Sequence, residues 1–589
     1  MIGLRAKLAL AGALLASAAV AQTPAANAPP QSLGGPTAIA PTPLPPPPPA
    51  PKSSAIEVNT LGVPEGPPAG TLDPSNGGMT DDIWSGSPRG AVEGLLARMP
   101  LGTPIRSVRG LGRKLLLTKA DAPTGQAPRA FQTARLQALL AAGFVSDTAK
   151  LALQIQFKDD PEFAHLQATA ILLGGKPADA CSDATITRET DTEPFWMQLR
   201  AYCYAVTGKS DLLEITRGVM KAQGADDKAF EILLDDVMTH KATPPGALHD
   251  PTAVQVFLMR QVGIPINPSL AARFGLAASV LALRDVKNTP QARADAASQA
   301  MHAGAASTAE LGAVADAQTF TPQQFANAET AAEGLPFFAG QALIRQAVAR
   351  ATSDDDKAKL LAAAFRLGRQ AQLLPVAAAI QEKGAVALAP TPAMRSFAPA
   401  FAQALLLVRQ ADAAERWRDM LDMKTDADKL LAASLAVQLY LVAPNPGRAG
   451  RAQEALSVLA ANTLTPQPVG GFEAKEFAAL AIGLYDALGE ILPADARAQL
   501  ANLVQHQLPG RRLPPITAKH LADMKGQPGL KGEAILTILD GVGAGGPADL
   551  APDQTMSFVR ALKDWGEGDA AHAFAVDALV LYRPQPQPS

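Results

Sequence analysis

Between Phe163 and Val237 the apolar positions fall into three matching triples. Phe163, Leu166 and Ala170 are followed by Trp196, Leu199 and Cys203, then by Phe230, Leu233 and Val237. The spacing within each triple is three then four, which puts its members on one face of an α-helix. Corresponding members recur after 33 and then 34 residues, a helix–turn–helix repeat period. Phe163, Leu166, Trp196, Leu199, Phe230 and Leu233 are therefore the expected repeat core.

The same helical spacing, cut by glycine or proline, continues on both sides. It predicts helices near 89–99, 104–118, 128–142 and 145–157, and a proline- and glycine-rich break at 243–250. Hairpins are then expected at about 251–286, 289–317, 321–352, 354–383, 394–424, 427–462, 472–506 and 515–541. A last helix through Phe558, Leu562 and Trp565 turns at Gly566-Glu567-Gly568 into a helix over 569–581.

At both ends the amphipathic pattern fails. Arg5 and Lys7 precede an apolar run at 8–20, and Ala19-Val20-Ala21 supplies a small-x-small cleavage site, the layout of an export signal. The run is short of the roughly 20 residues that cross a bilayer, and no cysteine follows it to carry a lipid. From 22 to 80 proline dominates, and the run at 41–51 predicts polyproline II, a spacer of roughly 34 Å at about 3.1 Å per residue. The expected organisation is a signal peptide (1–21), a disordered linker (22–80), disulfide-bearing helical repeats (81–242), a continuing set of hairpins (243–582) and a disordered tail (583–589). No transmembrane segment is expected in the mature chain, so the reading is an exported, periplasmic protein of a Gram-negative bacterium.

Composition adds the fold class. Aromatic residues are only 5% of the 589, and alanine and leucine dominate, so the chain is expected to be all-α and to stack hairpins rather than fill one wide core. The 52 basic and 55 acidic residues give a net charge of −3, and loss of Arg5 and Lys7 leaves −5. Neither value argues for nucleic acid.

The triples resemble the first helix of tetratricopeptide repeats, with Arg200 where that family has glycine and Cys203 where it has tyrosine. Asp179 and Leu212 fall at the second helix's alanine position. The resemblance implies a degenerate, right-handed α-solenoid that binds protein or peptide. The Trp84 segment, the Ala-Cys…Trp…Cys core and Gly532-Glu533 also resemble a group of exported, alanine-rich helical proteins of Gram-negative bacteria. That group has no assigned activity, so the likeness implies address and fold alone.

Three constellations remain to be weighed. Cys181 and Cys203 are the only cysteines, and in an exported chain they point to a disulfide between neighbouring helices. A redox pair and two buried thiols are the alternatives, and no C-x-x-C spacing favours the first. His240 and His249, near Asp235, Asp236 and Asp250, read as surface residues flanking a loop rather than as metal ligands. Residues 541–546 match G-x-G-x-x-G, but a helix precedes them and Pro547 follows, so a loop is expected and no cofactor. No G-x-S-x-G, S-x-x-K or Walker sequence occurs.

The charge pattern has one bias. Arg89, Arg98, Arg106, Arg109, Arg113 and Lys114 cluster near the start of the body with Glu93 as the sole acid. Arg106, Arg109 and Arg113 share a helix face, which would suit an anionic glycan, lipid headgroup or acidic protein; the other reading is a solvated face paired with acids from elsewhere. The expected function is a non-enzymatic interaction scaffold or accessory subunit that binds a protein partner in the cell envelope. The alternatives are an envelope hydrolase, acting on peptidoglycan or polysaccharide, and a chaperone-like binder.

Overall fold

A computed structural model describes residues 66–127, 129–155, 160–181, 193–245, 248, 250–266, 272–462, 474–505 and 510–582. The expected signal peptide, most of the proline-rich linker and the tail lie outside the described residues. Among the described residues the chain is all-helical, with 28 α-helices, short 3-10 turns and isolated bridges in place of strands.

Local chemistry starts and stops the helices. The three triples lie on Pro161–Leu173, Pro194–Val206 and Lys228–Thr239. Proline at the first position of the first two lacks a backbone donor that would be unsatisfied there anyway. Asp160 accepts from the amides of Glu162 and Phe163, and Asp227 from those of Ala229 and Phe230. Thr252 and Gln255 form a reciprocal capping box that opens Ala253–Val262.

Most helices pack on their neighbours in sequence, as with Asp426–Val442 against Pro446–Asn462. Alanine makes such packing close. Leu276–Arg284 lies against Pro290–His302, and the residues they bury include Ala277, Ala278, Ala282, Ala294 and Ala297. Several contacts break the sequential order, among them Ala474–Leu488 on Pro552–Asp564. Ala253–Val262 packs on Pro161–Leu173 across the intervening hairpins, and Arg260 Nη1 donates to Leu173 O at 3.1 Å.

The two ends of the body also meet. Arg89–Leu96 and Arg106–Leu117 pack on Lys531–Val542, and Arg106–Leu117 on Gly568–Val580. The Gly86 amide donates to Gly529 O at 3.0 Å, and the Gly532 amide to Ile83 O at 2.9 Å. Gly532 must be glycine, because a Cβ there would stand 2.4 Å from two ring carbons of buried Trp84.

The body begins before Asp81, which corrects the linker boundary read from the sequence. Ala69 and Met79 are buried, and the amides of Thr71 and Leu72 both donate to Leu117 O. Arg135, fully buried, straps this segment down by donating to Ala69 O, Leu116 O and Thr118 O. The carbonyls at the end of Arg106–Leu117 need donors. The segment's Thr71 and Leu72 amides serve Leu117 O, and Arg135 serves Leu116 O.

Candidate functional site

Cys181 follows the four-residue helix Pro177–Ala180, and Cys203 lies on Pro194–Val206. They form a disulfide with Cα atoms 5.4 Å apart, within the usual span. Of the expected repeat core, Phe163, Trp196, Leu199, Phe230 and Leu233 are buried, and Leu166 is partly buried against the same cluster. Trp196 makes edge contact with Phe195, whose ring stacks on His165 at 4.0 Å.

The helix after this bridged hairpin, Ser210–Ala222, is apolar on two arcs. Leu213, Thr216 and Met220 are buried, and the helix packs on Pro194–Val206. Leu212, Ile215 and Val219 sit roughly 100° round the helix from them and are 42%, 63% and 41% exposed. Val206 and Met238, on the helices before and after, are exposed too. Single exposed aliphatics are ordinary, but a stripe spaced three then four on one helix is a patch.

The basic residues near the start of the body do not form one solvated face. Arg89 is buried, paired with Glu93 at 2.6 Å and donating to Arg129 O at 2.7 Å. Arg98 pairs with Asp540 at 3.2 Å, Arg113 with Asp147 at 2.6 Å, and Lys114 with buried Glu567 at 2.7 Å. Hydrogen bonding to Asp147 raises the Arg113 pKa further above its ordinary value. Arg109 is buried, donating to Ala303 O at 2.8 Å, to Ala142 O at 3.1 Å and also to Leu101 O. Its guanidinium lies over the Phe144 ring, and burial lowers its pKa to about 10. The helical spacing of Arg106, Arg109 and Arg113 is real, but Arg109 and Arg113 are fastened to other parts of the fold.

Arg106 alone of that triple is exposed and has no acidic partner among the described residues. It stands at a cleft of about 340 Å³ where segments far apart in sequence converge. Arg409 and Asp577 share that wall, and Arg409 Nη2 donates to Asp577 Oδ1. Asp577 Oδ2 accepts from the Ser107 amide at 2.8 Å, so the aspartate caps Arg106–Leu117 from across the chain. Burial, opposed by Asp577 and reinforced by the nearby Arg106 charge, lowers the Arg409 pKa. Arg409 Nη1 and Ser107 Oγ are buried without hydrogen-bond partners among the described residues.

The cleft's backbone is unusual at two positions. Arg409 has φ +65°, a left-handed conformation uncommon for any residue but glycine. Gly304, at φ +62°, comes so close to the chain opposite that a Cβ would lie 2.6 Å from Thr103 O. No spacing rule links Arg106, Arg409 and Asp577, and sequence reasoning missed the last two entirely.

His240 takes a left-handed C-cap position after Lys228–Thr239, and His249 lies outside the described residues. No cluster of metal-ligating side chains occurs among the described residues. Of the glycine-rich run, Gly541 and Val542 end the helix Lys531–Val542 and residues 543–546 form the loop to a 3-10 turn, with Thr103 Oγ1 donating to Ala544 O. No described helix is long and apolar enough to cross a membrane. Family models, curated proteins and solved structures were all compared with the chain, and none matches it.

Proposed function

We propose that this is an exported, non-enzymatic scaffold of the Gram-negative cell envelope that binds a protein partner through the Ser210–Ala222 helix. The observation that carries this reading is the exposed stripe of Leu212, Ile215 and Val219. Those side chains leave three aliphatic surfaces in water, at about 25 cal/mol per Å² of apolar area. A partner's apolar helix or groove would cover them, as in helix-in-groove recognition.

Three further observations support the reading. The stripe stands beside a hairpin held by the Cys181–Cys203 bridge, so its geometry is fixed before a partner arrives. The bridge suits an oxidising compartment, which agrees with the export signal expected from the sequence of residues 1–21. Successive helix pairs with a 33–34-residue spacing suit a tetratricopeptide-like solenoid, whose surfaces commonly serve binding. The stripe would serve a chaperone-like binder of apolar segments equally well, and one experiment separates the two.

That experiment replaces Leu212, Ile215 and Val219 together by glutamine, a good helix former, and compares co-purification from periplasm. Helicity and the disulfide should be retained. A fixed partner recovered with the wild type and lost with the variant supports the scaffold. A mixture of unrelated chains, also lost, supports the chaperone-like reading. Equal recovery from both proteins removes the stripe as the binding surface.

A further inference from the structure

The Arg106–Arg409–Asp577 cleft is separate from the exposed stripe and calls for a ligand of its own. We infer that it binds a small monocarboxylate with a compact apolar body, held at its charged end by Arg106 and Arg409.

The charge balance comes first. Two arginines and one aspartate line the cleft, and Arg409 already engages Asp577, which leaves one positive charge to be matched at Arg106. The two arginines are close enough for Arg106 to oppose the charge on Arg409. Like charges brought together at a partly buried wall cost stability in the free protein, and a monoanion between them removes that cost. Arg409 Nη1, buried without an acceptor, is a donor in want of a partner, since a buried unsatisfied donor is destabilising.

The backbone adds to the same field. First-turn residues of three helices line the cleft: Arg106 of Arg106–Leu117, Thr308 of Thr308–Asp316 and Val376 of Leu374–Ala387. Each helix start carries partial positive charge, although Asp577 already caps the first of them. Two helix C-termini, at Leu407 and Val580, also reach the wall and oppose this. The surplus is modest, which favours a single negative charge over a double one.

Size and lining set the rest of the ligand. At about 340 Å³ the cleft is at the small end of the range of roughly 300–1,000 Å³ for small-molecule sites. Leu311, Val376, Leu407 and Val580 make one side apolar. A carboxylate on a short aliphatic chain satisfies both ends of such a site. Arginine's planar fork reads the carboxylate in two directions.

The test uses the full mature chain, with n-hexanoate as probe and hexanamide as its neutral counterpart. Calorimetric titration should show saturable hexanoate binding, and melting should rise with hexanoate as linkage requires. Hexanamide should do neither. Arg106→Gln, at an exposed position, should not lower the unliganded melting temperature and should raise it slightly, since it relieves the like-charge pair with Arg409. It should weaken hexanoate about tenfold or more, the value of one charge-assisted hydrogen bond. Arg106→Lys should fall between the two, since it keeps the charge and loses the fork. Absence of saturable hexanoate binding, or equal affinity in wild type and Arg106→Gln, overturns the proposal. Tighter binding of inorganic phosphate than of hexanoate overturns it too, by showing a site for charge without the apolar body.

Discussion

Replacing Gly532 by alanine tests the junction of the chain's two ends with a single methyl group. The added Cβ would lie 2.4 Å from Cε3 and Cζ3 of Trp84 and 2.7 Å from Cη2. Ordinary carbon contacts are about 3.5–4.0 Å, so ring and helix must part by roughly an ångström. Neither yields readily. Trp84 is 2% exposed and packs edge-on against Phe131, with ring centroids 5.6 Å apart. The Gly532 amide is held to Ile83 O at 2.9 Å. Overpacking of this kind costs about 1–3 kcal/mol, while glycine to alanine in a helix returns about 0.5–1 kcal/mol. A net loss of up to about 2.5 kcal/mol is expected. Gly450, on the exposed side of Pro446–Asn462 with no atom within 4 Å of an added Cβ, is the control. There the same substitution should stabilise by up to about 1 kcal/mol. Urea unfolding followed by tryptophan fluorescence and far-ultraviolet dichroism should shift the two midpoints in opposite directions. Gly532→Ala as stable as Gly450→Ala would refute the tight junction.

Two further perturbations address the bridged hairpin. Non-reducing peptide mapping should recover Cys181 joined to Cys203, and reduction should lower the melting temperature, since closing a 22-residue separation is worth about 3 kcal/mol. Free alkylation of both thiols in unreduced protein would contradict the bridge. Trp196→Ala should destabilise by about 3–5 kcal/mol, because Trp196 is 2% exposed and packed on Phe195. A neutral effect would mean that the side chain is not part of the core.

Helices were legible in the sequence because their signal is local. A three–four spacing such as Phe230, Leu233 and Val237 needs only one helix to be meaningful, and Asp227 marks where it begins. The role of Arg109 was not legible, because its acceptors are carbonyls of Leu101, Ala142 and Ala303, which no residue type announces. Lys114 finds Glu567 only because the two ends of the body meet, 453 residues apart in sequence. The same closure hides the cleft, since Arg409 and Asp577 carry no motif and lie 168 residues apart. The linker boundary failed for a compositional reason: the prolines of the segment outweighed Ala69, Leu72 and Met79, the apolar residues that dock. The exposed stripe left a trace, a helix with apolar residues on two arcs where one would suffice. Leu212 was one of the two residues, with Asp179, out of repeat register.

Partner binding is tested most directly by a photo-activated cross-linking side chain at position 215, irradiated in intact periplasm. The comparison site is Lys359, whose side chain is 65% exposed on Asp354–Gln370, away from the stripe in sequence. One discrete adduct at 215, absent at 359 and identified as the same protein in repeated preparations, is the expected result. No adduct at 215, or the same products from both positions, would contradict docking through the Ser210–Ala222 helix.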